Sequence, residues 1–138
     1  MQADLHHVHL FASDIEATIA WWRDMMGGEV AFDGEFGGAR NVFMRVGKGR
    51  LHLYDQKPRG APGAAPGGAV HHVGIQCRDL PARVAAMKAR GVAFRSEIRE
   101  FGSWRYIMCA APDGVLLELF EADTDAMPLD LAAYFSGR

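Results

Sequence analysis

The sequence predicts an α+β fold built from two tandem β-α-β-β-β modules. Residues 5–14 recur as residues 70–79, with the same apolar-His-His-Val start and an Asp seven residues after the second His. The two copies begin 65 residues apart in a chain of 138 residues. A Pro- and Gly-rich stretch separates the halves. Because neither half can bury a full core alone, we expect one domain, residues 1–138, made of two repeated units.

The first module is predicted over residues 4–55. Residues 5–11 alternate as a β-strand does. Asp14 then caps a helix whose apolar residues recur at helical spacing, until Gly27 ends it. The strands that complete the module are predicted at 29–35, 41–46 and 50–55, where glycines mark the turns.

The second module is predicted over residues 70–122, after a linker at 56–69. The linker holds three prolines and four glycines, a composition that supports neither a helix nor a strand. The module repeats the plan of the first, and a short C-terminal helix without a counterpart follows at 127–136. Its predicted elements are a strand at 70–77, a helix at 80–90 capped by Asp79, and strands at 92–98, 103–110 and 115–121.

Composition argues against two classes of partner. The net charge is −2 and the pI is about 6.3, whereas nucleic acid and anionic membranes require a basic surface. No apolar run reaches the length of a membrane span. Cys77 and Cys109 lie in strand-like runs without the spacing of a metal finger, so a reduced, cytoplasmic setting is expected. A small molecule is the expected substrate.

Four residues at equivalent positions of the two modules predict a metal site. His7 matches His72 on the first strands, and His52 matches Glu118 on the last strands. His52 and Glu118 interrupt apolar runs, where a polar group is costly to bury unless it is paired or ligated. Imidazole and carboxylate together suit one divalent transition metal: Zn, Ni, Co, Mn or Fe. A single such residue is more often a hydrogen-bonded core residue, but four matched positions favour a metal.

These features resemble the vicinal oxygen chelate superfamily, which includes glyoxalase I, methylmalonyl-CoA epimerase, extradiol dioxygenases, and fosfomycin- and bleomycin-resistance proteins. The resemblance implies that the modules pair into an open eight-stranded curved sheet, with a metal ligated from the first and last strands of each module. It also implies a homodimer, in which modules pair within one chain or are swapped between two. The motifs that carry it are His7-Val8 with Asp14, His72-Val73 with Asp79, and residues 111–119, where Ala111 replaces the first Asp of the family hairpin.

By the resemblance, His52 helps to discriminate between branches. Glyoxalase I typically has Glu at this position, the epimerases Gln, and the extradiol dioxygenases no ligand. A fourth ligand crowds O₂ chemistry, and Cys109 stands where the extradiol enzymes carry a Tyr. We therefore expect a metal-dependent lyase or isomerase that chelates vicinal oxygens and stabilises an enediolate. The alternatives are an extradiol-type dioxygenase, a fosfomycin-type thiol transferase, and a metal-free drug- or metabolite-binding protein of the bleomycin-resistance type.

Two candidates for proton transfer and a set of pocket residues complete the expectation. Glu118 is the expected catalytic base by the resemblance, and His9 is a second candidate acid or base, although it can also be a polar wall residue. His6 and His71 are expected to point toward the helix layer. Strand alternation and the family register predict a substrate-binding set, each member of which can instead be packing: Phe43, Arg45, Tyr54, Trp104, Tyr106, Met108 and Phe120.

Overall fold

The computed structural model describes residues 6–36, 38–55 and 72–136, with the backbone alone at positions 36, 101, 130 and 134. The chain divides into two compact units, residues 1–68 and residues 69–138. The predicted linker at 56–69 and His71 lie outside the described residues. Within the described part of the chain, no helix is long and apolar enough to cross a membrane.

The first unit holds one four-stranded sheet and one helix. The strand order is β1-β4-β3-β2; β1 runs parallel to β4, and the other neighbours are antiparallel. The elements are β1 (Val8–Phe11), α1 (Ile15–Met26), β2 (Glu29–Phe36), β3 (Ala39–Val46) and β4 (Gly49–Tyr54).

The second unit repeats this plan. Its strand order is β5-β8-β7-β6, again with the first and last strands parallel, and a short 3₁₀ turn at Pro112–Gly114 joins β7 to β8. A C-terminal helix follows, so the predicted α+β class with two β-α-β-β-β modules is confirmed. The elements are β5 (Val73–Gln76), α2 (Leu80–Ala89), β6 (Arg99–Phe101), β7 (Trp104–Ala110), β8 (Leu116–Ala122) and α3 (Leu129–Ser136).

The main difference from expectation lies between α2 and β7. The strand predicted at 92–98 is wrong: β6 spans Arg99–Phe101, and the earlier segment forms only an isolated bridge from Phe94 to Cys109. The apolar residues at 92–98 do alternate. The strand that pairs with β7 on this side, however, is β6, which lies beside residues 104–106 at the start of β7. A pattern of alternation records which side chains are buried and does not require a continuous ladder.

The helix caps and the buried strand residues occur at matching positions of the two units, and they determine where the polar strand residues lie. Asp14 and Asp79 each accept a hydrogen bond from the backbone N–H three residues later, at 3.1 Å, which satisfies a free donor of the first helical turn. Along β4 the buried residues are Leu51 and Leu53, and along β8 they are Leu117 and Leu119. Because strand residues alternate between faces, the residue between each leucine pair lies on the opposite face.

Candidate metal centre

The strand register places the predicted ligands at equivalent positions. His52 of β4 lies opposite His9 of β1, and Glu118 of β8 lies opposite Gly74 of β5. The residue just before β1 is His7, and the residue just before β5 is His72. Each module therefore presents one donor before its first strand and one donor in its last strand.

In the first unit, three imidazoles meet. The rings of His7 and His52 are stacked, with centroids 3.7 Å apart and planes 13° apart. Nδ1 of His6 lies 3.1 Å from Nδ1 of His7, and one ring nitrogen from each of the three residues lies within 4.8 Å of the others. The prediction that His6 faces the helix layer is wrong. It precedes β1 and is exposed, so strand alternation does not fix its direction.

His9 extends this histidine cluster along β1. Its ring centroid lies 5.9 Å from that of His52 and 5.5 Å from that of Tyr54. Partial burial, followed by the neighbouring His7, lowers the pKa of His9. The pKa of His52 is lowered first by partial burial and then by His7, His9 and His6. Both imidazoles are therefore neutral at neutral pH, the form that ligates a metal or accepts a proton.

In the second unit, the predicted donors are in direct contact. Nε2 of His72 lies 2.8 Å from Oε2 of Glu118, and the two side chains are 34% and 21% exposed. Met108 of β7 lies opposite Glu118 on one side, and Gly74 lies opposite it on the other. The carboxylate is therefore accessible at the strand face and holds the neighbouring imidazole.

These donors fit the divalent metal that the family resemblance implies. The structure brings His7 together with His52, and His72 together with Glu118, each pair within its own unit. Neutral imidazole nitrogens and a carboxylate oxygen are the usual ligands of Zn²⁺ and of the neighbouring transition metals. The role of each residue as a ligand remains a prediction.

Predicted substrate-binding residues in the first unit surround His52. Phe43 lies opposite His52 in the β3–β4 ladder and stacks on its ring, with centroids 3.8 Å apart. Two residues further along the same strand face, Arg45 lies opposite Arg50, and both are exposed. On its other side, Arg45 lies opposite Glu29 of β2, so the chain places one carboxylate beside these two guanidinium groups. Sequence reasoning named Arg45 but missed Arg50.

Predicted residues in the second unit form an aromatic cluster. Tyr106 lies opposite Phe120, and the Phe120 ring lies 6.3 Å from that of Trp104. Phe135 of α3 closes the cluster, with centroid distances of 5.3 Å to Trp104 and 5.8 Å to Phe120. Its carbonyl oxygen accepts a hydrogen bond from Nε2 of Gln76 at 3.1 Å. Sequence reasoning missed Phe135, although the apolar composition of the C-terminal helix signalled a docked face.

The cysteines do not belong to this arrangement. Cys109 lies opposite Leu117, on the face of the sheet that carries the core, and is 1% exposed. Burial raises the pKa of its thiol to about 11, and burial also raises the pKa of Cys77. Since the thiolate is the nucleophilic form, both cysteines are inert structural residues at neutral pH.

Solved structures share this fold. Fosfomycin resistance protein FosX from Listeria monocytogenes, solved with Mn(II) and 1S,2S-dihydroxypropylphosphonic acid, is 18% identical, with a TM-score of 0.71 over 95% of this chain and 98% of FosX. A glyoxalase family protein from Enterococcus faecalis is 22% identical (TM-score 0.69; 86% and 97% covered). Lactoylglutathione lyase from Agrobacterium tumefaciens is 20% identical (TM-score 0.64; 88% and 96% covered). These similarities establish the fold alone.

Comparison with protein families assigns most of the chain. A search of curated proteins finds no significant match. Residues 4–119 match the Glyoxalase/Bleomycin resistance protein/Dioxygenase superfamily, a span that includes all four predicted metal ligands. The resemblance seen in the histidine and hairpin motifs is thereby confirmed, and the chain belongs to this superfamily.

Proposed function

We propose that this protein is a metal-dependent lyase or isomerase of the glyoxalase I or methylmalonyl-CoA epimerase type. The observation that carries the proposal is the matched register of two donor pairs. His7 and His52 form one pair, and His72 and Glu118 occupy the same positions of the second module. Repeated donors at repeated positions are expected of a ligand set and are not required for packing alone.

The proposed cofactor is one divalent transition metal, Zn, Ni, Co, Mn or Fe, held by these four residues. If bound, it would supply Lewis-acid chemistry to a small substrate with two adjacent oxygens and would stabilise the negative charge that proton removal creates there. His7, His52, His72 and Glu118 would hold it through three imidazoles and one carboxylate.

Two residues of the chain are proposed to handle the proton. Glu118 is the one carboxylate among the proposed ligands, and its Oε2 lies 2.8 Å from Nε2 of His72. His9 lies beside His52 without being one of the proposed ligands, and its lowered pKa leaves the imidazole free to accept a proton at neutral pH. We assign proton removal to Glu118, and His9 is the second candidate acid or base.

The strand face around His52 supports an anionic substrate. Arg45 and Arg50 lie opposite each other, two residues along from the Phe43–His52 pair. Glu29 lies opposite Arg45 on the other side, which leaves one positive charge for a carboxylate, phosphate or phosphonate. A guanidinium group donates paired hydrogen bonds to such an anion. The ring of Phe43, which stacks on His52, suits an apolar portion of the same molecule.

A fosfomycin-resistance reaction on a phosphonate is the second candidate. It is supported by the Arg45–Arg50 pair and by the likeness to FosX, which was solved with Mn(II) and a phosphonic acid. The further alternatives are an extradiol-type dioxygenase and a metal-free binding protein of the bleomycin-resistance type. The family relationship also supports a homodimer, which light scattering of the purified protein measures directly.

The test begins with metal analysis of protein purified without an affinity tag. We expect about one equivalent of a transition metal per chain, and its loss in His7→Asn. The metal-loaded protein is then assayed for exchange of carbon-bound hydrogen in D₂O, with hemithioacetals of 2-oxo aldehydes and 2-methylmalonyl thioesters as substrates. Glu118→Gln is the matched variant, and we expect it to abolish exchange.

The possible results separate the candidate functions. Exchange that depends on Glu118 supports the lyase or isomerase, whereas opening of a phosphonate epoxide without exchange supports the fosfomycin-type reaction. Oxygen uptake with catechols indicates the dioxygenase. Less than about a tenth of an equivalent of metal after reconstitution, with ligand binding unchanged in His7→Asn, overturns metal catalysis and leaves the binding protein.

A further inference from the structure

We propose that His6 is an additional metal donor, which with His7 and His52 allows the first module to hold a divalent transition metal without donors from the second module. This inference rests on the proposed function only in that both concern a metal at His7 and His52. It adds a donor that the matched register does not predict. It also assigns the first module the role of capturing the ion.

The spacing of the three imidazoles suits a shared ion. Nitrogen ligands of Zn²⁺ lie about 2.0–2.1 Å from the metal, so two tetrahedral ligands lie about 3.3 Å apart. Nδ1 of His6 and Nδ1 of His7 are 3.1 Å apart, and the nitrogens of all three residues lie within 4.8 Å of one another. Closing the remaining gap requires a movement of up to about 1.5 Å. The nearly parallel rings of His7 and His52 must also tilt so that their nitrogen lone pairs converge, which rotation of the exposed His7 imidazole provides.

His52 is the fixed member of this set. Its ring stacks on Phe43, with centroids 3.8 Å apart, and this contact persists when His7 turns toward a metal. The ladder between β3 and β4 fixes the position of Phe43 directly opposite His52. A metal therefore meets a nitrogen whose direction is already set, and binding does not have to order that side chain.

His6 is free to turn toward the others because it lies outside the ladder. Both His6 and His7 precede β1 and are exposed, so the alternation that sends successive strand residues to opposite faces does not apply to them. Their adjacent nitrogens are consequently on the same side of the chain.

A set of three imidazoles also binds some metals in preference to others. Nitrogen donors favour Zn²⁺, Ni²⁺, Co²⁺ and Cu²⁺, whereas Mn²⁺ and Mg²⁺ prefer carboxylate and water oxygens. The second module supplies the carboxylate Glu118 beside His72. Module one alone is therefore expected to bind Zn²⁺ or Co²⁺ and to discriminate against Mn²⁺.

The experiment measures metal binding by the untagged full-length chain. Apo-protein is titrated with Zn²⁺ against a chromogenic chelator and with Co²⁺ by visible absorption. His72→Asn with Glu118→Gln removes both donors of the second module, and we expect this double variant to retain one equivalent of Zn²⁺. Adding His6→Asn is expected to weaken Zn²⁺ binding by about tenfold or more, since loss of even an outer-shell partner has an effect of this size.

His71→Asn in the same double variant is the matched control, because residue 71 is the counterpart of residue 6 in the repeat. It is expected to leave the Zn²⁺ affinity unchanged. Circular dichroism and thermal unfolding establish that each variant is folded. In an otherwise wild-type chain, His6→Asn is expected to weaken Zn²⁺ binding more than Mn²⁺ binding. This comparison tests His6 without the double variant.

Three results would overturn the inference, and they have different consequences for the proposed function. Loss of all Zn²⁺ binding in the folded double variant removes the module-one site but leaves the four-donor proposal intact. Equal affinities for the His6→Asn and His71→Asn variants remove His6 as a donor. A wild-type chain that binds no transition metal contradicts both this inference and the proposed function.

Discussion

At the residue scale, the two modules differ in chemistry at one position of their last strand, which is His52 in β4 and Glu118 in β8. His52 and Glu118 have the same neighbours along the strand, with a buried leucine on either side. His52 stacks on Phe43, whereas Oε2 of Glu118 lies 2.8 Å from Nε2 of His72. The first position therefore supplies a rigid neutral donor, and the second supplies a carboxylate that can take up a proton.

Glu118→Gln is expected to separate metal binding from stability. The variant keeps the size of the side chain but removes its charge, so we expect weaker metal binding and loss of proton transfer. Because the His72–Glu118 pair is partly exposed, the free energy of unfolding of the metal-free protein should change by less than about 1 kcal/mol. Urea unfolding and Zn²⁺ titration measure the two effects. A large loss of stability in the metal-free form would indicate a structural ion pair instead.

The lowered pKa values of His9 and His52 predict a pH dependence of the metal-free protein. Above pH 6.5, the ordinary histidine pKa, both residues are neutral in the folded and the unfolded chain. As the pH falls below this value, the unfolded chain binds protons first, so the free energy of unfolding decreases. Urea unfolding at a series of pH values measures this slope. His9→Gln with His52→Gln is expected to flatten it, and an unchanged slope would assign it to other groups.

At the scale of the element, α1 packs into the core through one face of the helix. Trp22 is 2% exposed, and buried residues recur around it at Ile15, Ile19 and Met26, the spacing of one helical face. Trp21 lies on the neighbouring face and is only half-buried, with its ring 5.4 Å from that of Trp22. The two tryptophans therefore contribute unequally to the core.

Trp22→Ala is expected to reduce the free energy of unfolding by about 3–5 kcal/mol, because it leaves a cavity in a packed core. Trp21→Ala is the matched control, since it removes the same side chain from a half-buried position of the same helix. Its cost is expected to be about 1 kcal/mol. Chemical denaturation followed by circular dichroism compares them. Equal effects would mean that Trp21 also occupies an essential packing position.

The C-terminal helix α3 is docked mainly through Phe135. The ring contacts Trp104 and Phe120, and the backbone carbonyl accepts a hydrogen bond from Gln76. Phe135→Ala is therefore expected to weaken docking of α3 by about 1–2 kcal/mol, as loss of two aromatic contacts does. Hydrogen exchange of residues 129–136 should accelerate. Leu129→Ala, at a position 90% exposed on the same helix, should leave exchange unchanged.

The sequence predicted the elements whose signals are local. The caps at Asp14 and Asp79, and the alternation of β4 and β8, led to two modules with the correct order of elements. The break at 92–98 could not be predicted, because alternation there continues where the ladder does not. The direction of His6 depends on β1 beginning only at Val8, and strand ends are the least reliable part of a pattern.

At the scale of the whole molecule, each unit holds half of the proposed ligands. The same strand order occurs in both units, and each places buried leucines on one face of its last strand. A metal that takes donors from both units binds the folded chain and not the unfolded one. Metal binding is therefore expected to be coupled to stability.

Metal is accordingly expected to raise the melting temperature. At a free Zn²⁺ concentration of about 100 times Kd, binding adds about 2.7 kcal/mol to the free energy of unfolding. Thermal unfolding with and without Zn²⁺ measures the change. Replacing one donor in each unit, His7→Asn with His72→Asn, should remove the stabilisation, and Mg²⁺ should not reproduce it. A melting temperature that is independent of Zn²⁺ would argue against a site of this affinity.

The pairing of His9 with His52, and of Gly74 with Glu118, has a consequence for stereochemistry. A Cβ at residue 74 would lie 3.6 Å from Phe120, an ordinary contact, so packing does not demand the glycine. At this position the first module has the imidazole of His9, whereas the second module has only the hydrogen atom of Gly74. If His9 returns the proton, the proton comes from the first module alone, because Gly74 offers no acid or base at the matching position. The product of such a reaction is expected to have a single handedness, set by a difference between two copies of the same position.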